Sequence, residues 1–337
     1  MSNHFEEFED RIRLGKVEGK KANQYSRYCD FVYYNSSVNP ELTLAMRVLK
    51  PEKPSYILAG THGWHQSIPK FEELTAPASE YLQIQVDMRG RAFSDGKQDC
   101  NGLELMDVID AIEYVKEHYS EYILDKEVVY FQAGSGGGGN AFAIAGKFPD
   151  YFAHVVSTCG MSDYALWHQN DRVGEFRDEL DVWIGDISNP MAYASRSGIT
   201  FVENLCSPMA IVHGDRDIRV PEEHSANYVK KAEKSGKRNL ITYLKLAGIG
   251  GQDHFSNITD EQMKAMTQFC ETERKKHVTP VEIPRKGKMV IGGYLFTKHF
   301  AIVLDSIDKV AEMEYDLDKN IFHVTGVSEK ECKLTIR

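Results

Sequence analysis

Short apolar runs alternate with stretches of helical periodicity through the middle of the chain. Residues 56–59, 82–86, 128–131, 154–157, 209–213 and 240–244 are each only four or five positions long and mostly apolar. Runs of that length read as strands covered on both faces. Between the second and third runs, Leu105, Val108, Ile109, Ile112 and Val115 recur at helical spacing and predict one amphipathic helix. Strand and helix alternating in this way predict an α/β fold, mostly parallel, with helices on both faces of the sheet. Ahead of it, residues 30–34 and 42–48 flank Asn39-Pro40 and predict an antiparallel hairpin over about 30–50.

Two regions break the rhythm. Residues 161–205 carry Trp167, Phe176, Trp183 and the charged run Arg177-Asp-Glu without a clean strand. The expectation is a lid-like insertion lying over the sheet edge. After a helix pattern with Met263, Met266 and Cys270, the chain changes character at Pro280 and Pro284. Alternating segments at 289–291, 294–296, 301–304, 310–315, 321–324 and 334–336 then predict a small β appendage. The expected division is an α/β domain over 1–280 and a β-rich appendage over 281–337. Without a catalytic motif of its own, the appendage is expected to cover a sheet edge or to mediate self-association into a homo-oligomer.

Charge and cysteine usage narrow the function classes. Of 337 residues, 40 are Lys or Arg and 50 are Asp or Glu, a formal charge of −10, and no basic cluster stands out. Nucleic acid is therefore not an expected partner. No stretch nears the roughly 18 apolar residues that cross a bilayer, so no membrane partner is expected either. The opening Met1-Ser-Asn-His-Phe-Glu-Glu has neither the basic nor the apolar segment of a signal peptide. Cys29, Cys100, Cys159, Cys206, Cys270 and Cys332 stand singly, which predicts reduced thiols and a cytoplasmic location.

The chemistry concentrates where a predicted strand enters Gly134-Ser-Gly-Gly-Gly-Gly-Asn and a helix follows. Ser135 sits at the apex with Ala133 and Gly137 two residues to either side, as a nucleophile elbow requires. Small neighbours let strand and helix approach, and the Gly136 amide at the helix start can receive an oxyanion. The glycines also match a dinucleotide fingerprint, but the next strand runs into Ser157-Thr-Cys-Gly and offers no acid for a ribose. A phosphate-binding P-loop fails because Asn140 stands where lysine is needed. A plain glycine-rich connector is the bland alternative.

Partners for Ser135 follow in chain order. The strand at 209–213 runs into His213-Gly-Asp-Arg-Asp, which places Asp217 as the acid with Asp215 as its competitor. After the next strand, a glycine-rich loop presents His254, unlike most of the twelve histidines, which lie in polar helical contexts. Serine, acid, histidine is the order of α/β-hydrolases. Earlier, Gly60-Thr-His-Gly-Trp-His resembles an oxyanion loop, with the Trp64 amide paired to that of Gly136. His62 and His65 could suggest a metal, but no third ligand stands at suitable spacing, so neither metal nor organic cofactor is expected. Trp64 and Trp167 are the candidate walls of a substrate pocket, although Trp167 could equally pack the insertion.

The segments Asp87-Met-Arg-Gly-Arg-Ala-Phe-Ser-Asp-Gly, Gly134-Ser-Gly-Gly-Gly-Gly-Asn and Lys147-Phe-Pro-Asp together resemble the catalytic domain of prolyl oligopeptidase-family α/β-hydrolases over about residues 50–275. The resemblance implies an α/β-hydrolase domain with nucleophile Ser135, acid Asp217 and base His254. The first fifty residues are too few for that family's β-propeller, and the oxyanion loop lacks its tyrosine. The sequence therefore favours a serine esterase acting on a small ester, such as an acylated sugar or metabolite, ahead of a short-peptide hydrolase. A non-catalytic binding protein on the same fold is the alternative from another class.

Overall fold

A computed structural model describes residues 21–171, 174 and 176–337. The reading of the amino-terminal ten residues as no signal peptide lies outside the described residues. Strands β1 (Cys29–Asn35), β2 (Thr43–Leu49), β3 (Ile57–Thr61), β4 (Leu82–Asp87), β5 (Val129–Gly134), β6 (His154–Thr158), β7 (Met209–Gly214) and β8 (Ile241–Leu246) form one sheet in the order β1-β2-β4-β3-β5-β6-β7-β8. From β4 to β8 every neighbouring pair is parallel, and the β1–β2 hairpin closes one edge antiparallel to β4. The molecule has an α/β-hydrolase fold carrying an antiparallel appendage.

Helices cover both faces. α1 (Glu104–His118) buries Leu105, Val108, Ala111, Ile112 and Val115 completely, leaving Ile109 at the margin of the predicted stripe. It shares a core with α2 (Gly136–Lys147) and with Tyr228 and Ala232 of α6 (Glu223–Lys234) on one face of the sheet. On the other face, Met266 and Cys270 of α7 (Asp260–Lys275) pack on Val156, Ala210 and Val212. Among the described residues no helix is long and apolar enough to cross a membrane.

The segment 161–205 folds as α3 (Tyr164–Asn170), α4 (Arg177–Trp183), α5 (Pro190–Ala194) and a 3₁₀ turn (Gly198–Asn204). It leaves β6 and returns to the adjacent strand β7, so its helices gather at the carboxyl ends of the strands, where Trp167 meets Trp64 from the loop after β3.

The appendage holds β9 (Lys286–Gly292), β10 (Tyr294–Phe296), β11 (Phe300–Leu304), β12 (Val310–Asp316), β13 (Ile321–Thr325) and β14 (Cys332–Ile336) in one antiparallel sheet. Phe300, Ile302, Ile291 and Met313 give it a core of its own. It covers helical surface, not a sheet edge, because single polar residues dock it to α2 and the 3₁₀ turn. Asn204 exchanges two 2.7 Å hydrogen bonds with the Val290 backbone, and the Tyr294 hydroxyl donates to the Gly102 carbonyl at 2.7 Å. Buried Lys147 donates to the Gly292 carbonyl and lies over the Tyr294 ring at 4.3 Å. Truncation after Pro280 would uncover Phe148 and Phe201, each worth about 1.5–3 kcal/mol of burial. A calorimetric scan of the truncated chain should show Tm lowered by at least about 6 °C. An unchanged Tm would deny the appendage any part in stability.

Candidate active site

Ser135 occupies the sharp turn between β5 and α2 with φ +56°, a left-handed value that side chains rarely adopt. Its amide donates to the Thr158 carbonyl at 2.9 Å and its carbonyl accepts from Gly139 at 3.1 Å, so the strained turn is held from both sides. The glycines beside it are required by close approach. A Cβ on Gly136 would stand 2.5 Å from the Trp64 nitrogen, and one on Gly138 would stand 2.7 Å from the Gly160 Cα.

The three sequence-predicted residues come together at the carboxyl ends of β5, β7 and β8. His254 Nε2 lies 2.8 Å from the Ser135 hydroxyl, and its Nδ1 lies 2.6 Å from an Asp217 carboxylate oxygen. The other Asp217 oxygen accepts from the amides of Arg219 at 3.0 Å and Val220 at 2.9 Å. Burial opposes the charge on Asp217. Hydrogen bonds from His213 and His254, with the Val220 amide, outweigh it and hold the carboxyl well below the usual range. Asp215 is exposed and accepts from the Gly248 amide at 2.7 Å, which staples the two loops together. Gly250, at φ +123°, lets the histidine loop pass against the Asp217 backbone.

The loop after β3 brings the Trp64 backbone against Gly136, as expected of a two-amide oxyanion site. Neutral His62 sets its geometry. Burial and the charge of Arg91 push the imidazole down to about 3, so Nδ1–H donates to the Gly63 carbonyl and Nε2 accepts from the Met88 amide. With the Gly63 carbonyl held, the peptide that carries the Trp64 N–H has a fixed orientation. Asn140 ties the same loop to α2 by accepting from Thr61 at 2.7 Å and donating to Asn101 at 2.7 Å.

Three contributors left no signal in the sequence. Glu179 of α4 is fully buried and accepts from the Trp64 indole and from His65 Nε2, at 2.8 Å to one carboxylate oxygen. His213 Nε2–H donates to the Val220 carbonyl at 2.8 Å, and its Nδ1 pairs with the Ser225 hydroxyl at 2.7 Å, a buttress under Asp217. Cys159, at φ +49°, lines the cavity beside Asp217. Burial and the Asp217 charge push its thiol up, so it stays protonated and is no rival nucleophile. A long-range pair such as Glu179–Trp64 follows no periodicity, and in the sequence Glu179 stands only as the last member of the charged run Arg177-Asp-Glu.

A cavity of about 580 Å³ opens above Ser135 and His254, bordered by Trp64, Trp167, Phe176 and Arg219. Both tryptophans line it, and both are also packed. Trp167 is 1% exposed, meets Trp64 edge-on at 4.8 Å and stacks on Phe176 at 4.3 Å. Its indole donates to the Arg219 carbonyl at 2.9 Å. Trp167→Ala should therefore cost about 3–5 kcal/mol in urea unfolding. A variant as stable as the parent would make Trp167 a pocket wall and nothing more.

Fold and site define an α/β-hydrolase with an elbow serine beneath a covered cavity. The chain belongs to the prolyl oligopeptidase family, whose model matches residues 81–275. It is 29% identical over 177 residues to dipeptidyl peptidase family member 6 of Caenorhabditis elegans, a match covering 49% of this chain and 23% of that protein. Among solved structures it is similar to Pyrococcus horikoshii acylaminoacyl peptidase, with a TM-score of 0.60 at 17% identity over 74% of this chain and 42% of the other. It is also similar to an esterase of Pyrococcus furiosus, with a TM-score of 0.54 at 12% identity over 78% and 97% of the two chains. The chain thus spans about a quarter of the curated relative and under half of the solved peptidase.

Proposed function

We propose that this protein is a serine hydrolase that cleaves short peptides or acylated amino acids through Ser135, His254 and Asp217. The observation that carries the reading is the unbroken hydrogen-bond line from Asp217 through His254 to Ser135 at the floor of the cavity. As Ser135 attacks the acyl carbon, His254 takes its proton at Nε2 while Asp217 holds Nδ1–H and stabilises the imidazolium. The oxyanion forms between the Gly136 and Trp64 amides, donors already in place before reaction. His254 then gives the proton to the leaving amine, and water releases the acyl group by the reverse transfers.

Family membership moves the preference from ester to peptide, because the matched relatives are described as peptidases. An esterase remains the second reading, favoured by the Pyrococcus furiosus esterase whose whole length this fold covers. All six cysteines are free, which supports a reducing, cytoplasmic setting for either.

Labelling with a fluorophosphonate probe, followed by peptide mapping, tests the nucleophile. Peptidyl-anilides run beside p-nitrophenyl esters on the same preparation then test the substrate class. We expect label on Ser135 and higher kcat/KM on the anilides. A folded chain that takes no label would leave only a binding protein on this fold.

A further inference from the structure

We infer that Cys159, Asp217 and His254 form an inhibitory site for a thiophilic divalent cation, with zinc the fitting ion. One donor atom from each residue lies within 4.8 Å of the other two, and no other trio of His, Cys, Asp or Glu among the described residues comes so close. Tetrahedral zinc with sulfur at about 2.3 Å and nitrogen or oxygen at about 2.0–2.2 Å needs its donors roughly 3.4–3.6 Å apart. Cys159 therefore has to approach by no more than about 1 Å, while His254 Nδ1 and the Asp217 oxygen, now 2.6 Å apart, have to part by a similar amount to admit the ion. Sulfur, nitrogen and oxygen donors together suit zinc or cadmium better than magnesium or calcium, which take oxygen alone.

Charge and access agree with geometry. A thiolate and a carboxylate neutralise the ion, so the buried complex carries no net charge and avoids the cost of an isolated one. Cys159 is held for the purpose of contact with Asp217 by a left-handed backbone, and its amide is fixed to the Val212 carbonyl at 2.8 Å. It borders the same cavity as Ser135 and His254, so an ion entering with solvent meets Cys159 and His254 first and reaches the shielded Asp217 carboxylate by parting it from the His254 ring.

The proton balance explains the inhibition. Zinc takes the Nδ1 lone pair as the ring proton moves to Nε2, and the thiol proton leaves to solvent. Nothing is oxidised or reduced. His254 then presents N–H to Ser135 where it presented a lone pair, and it can no longer accept the serine proton. A chelator restores the original tautomer.

Binding stands apart from the proposed catalysis, whereas inhibition rests on that reading. Cadmium titrated into the full chain, followed by the thiolate-to-metal charge-transfer band and cadmium-113 NMR, reads binding without any substrate. We expect a single saturable site with one sulfur donor, absent in Cys159→Ser. Zinc in chelator-free buffer should abolish turnover of the best substrate, and EDTA should restore it. Cys159→Ser should raise the zinc inhibition constant by about 100-fold or more, beyond the loss typical of removing an outer partner of a ligand. Equal inhibition of the variant, or no sulfur-bound cadmium in the unaltered chain, overturns the site. The NMR measurement on the unaltered chain decides the matter even where the variant does not fold. Cadmium bound as expected to a chain that takes no fluorophosphonate would keep the site and remove the hydrolase reading.

Discussion

Ser135→Ala should lower kcat by roughly 10⁴–10⁶ while leaving the fold intact, because the members of a triad act as one unit. The turn is held by backbone bonds from the Ser135 amide to Thr158 and from Gly139 to the Ser135 carbonyl, and alanine keeps both. The hydroxyl itself contacts His254 at 2.8 Å, and its removal deletes the nucleophile without leaving a buried charge unpaired. Steady-state kinetics on the best anilide, with circular dichroism as the control for folding, checks the result. Activity within about tenfold of the parent would show that another group forms the acyl-enzyme.

Asp217→Asn should cost about 10⁴ in kcat with little change in KM, since the loss is one of tautomer and not of binding. An asparagine that offers N–H toward Nδ1 moves the ring proton to Nε2, the nitrogen that must accept from Ser135. The same variant has a stability signature. The native carboxyl titrates below its unfolded value of about 3.9, so ionised Asp217 contributes stability that is present above that pH and lost as acid protonates it. The Tm gap between parent and variant should be widest above about pH 5 and close as pH falls below about 4. A gap constant with pH would mean that the charge of Asp217 contributes nothing to folding. A larger kcat loss from Asp215→Asn would contradict the geometry, in which Asp215 serves only the Gly248 amide.

The parts of this molecule legible in its sequence are those encoded by near neighbours. Six short apolar runs gave the parallel strands, and the alternation beyond residue 289 gave the six appendage strands. Ser135 was visible because an elbow demands small residues within a few positions of the nucleophile. Asp217 was placed ahead of Asp215 without a local rule to separate them, because both leave the same strand, and it is the structure that brings the Asp217 carboxylate to His254. Docking of the appendage was equally hidden. It depends on isolated residues such as Lys147, Asn204 and Tyr294, which meet partners tens to hundreds of positions away and form no stripe. For the insertion the sequence reached no further than a lid near the carboxyl ends of the strands, for the related reason that a helix pattern says what a segment becomes and not which loop it touches.

Glu179 gives the insertion a claim on the chemistry. Its carboxylate is the shared partner of Trp64, whose amide is proposed to hold the oxyanion, and of the next residue, His65. Two stretches more than a hundred residues apart are therefore one unit for any redesign. An insertion borrowed from another hydrolase to alter substrate choice would leave the buried Trp64 indole N–H without its acceptor, at about 1–3 kcal/mol for such an orphan. Such a graft can succeed only if residues 62–65 travel with it or the incoming helix brings its own acid at the same height. Selectivity in this scaffold is thus inherited in matched pairs of segments, and a library that varies the insertion alone will consist mostly of chains with a displaced Trp64.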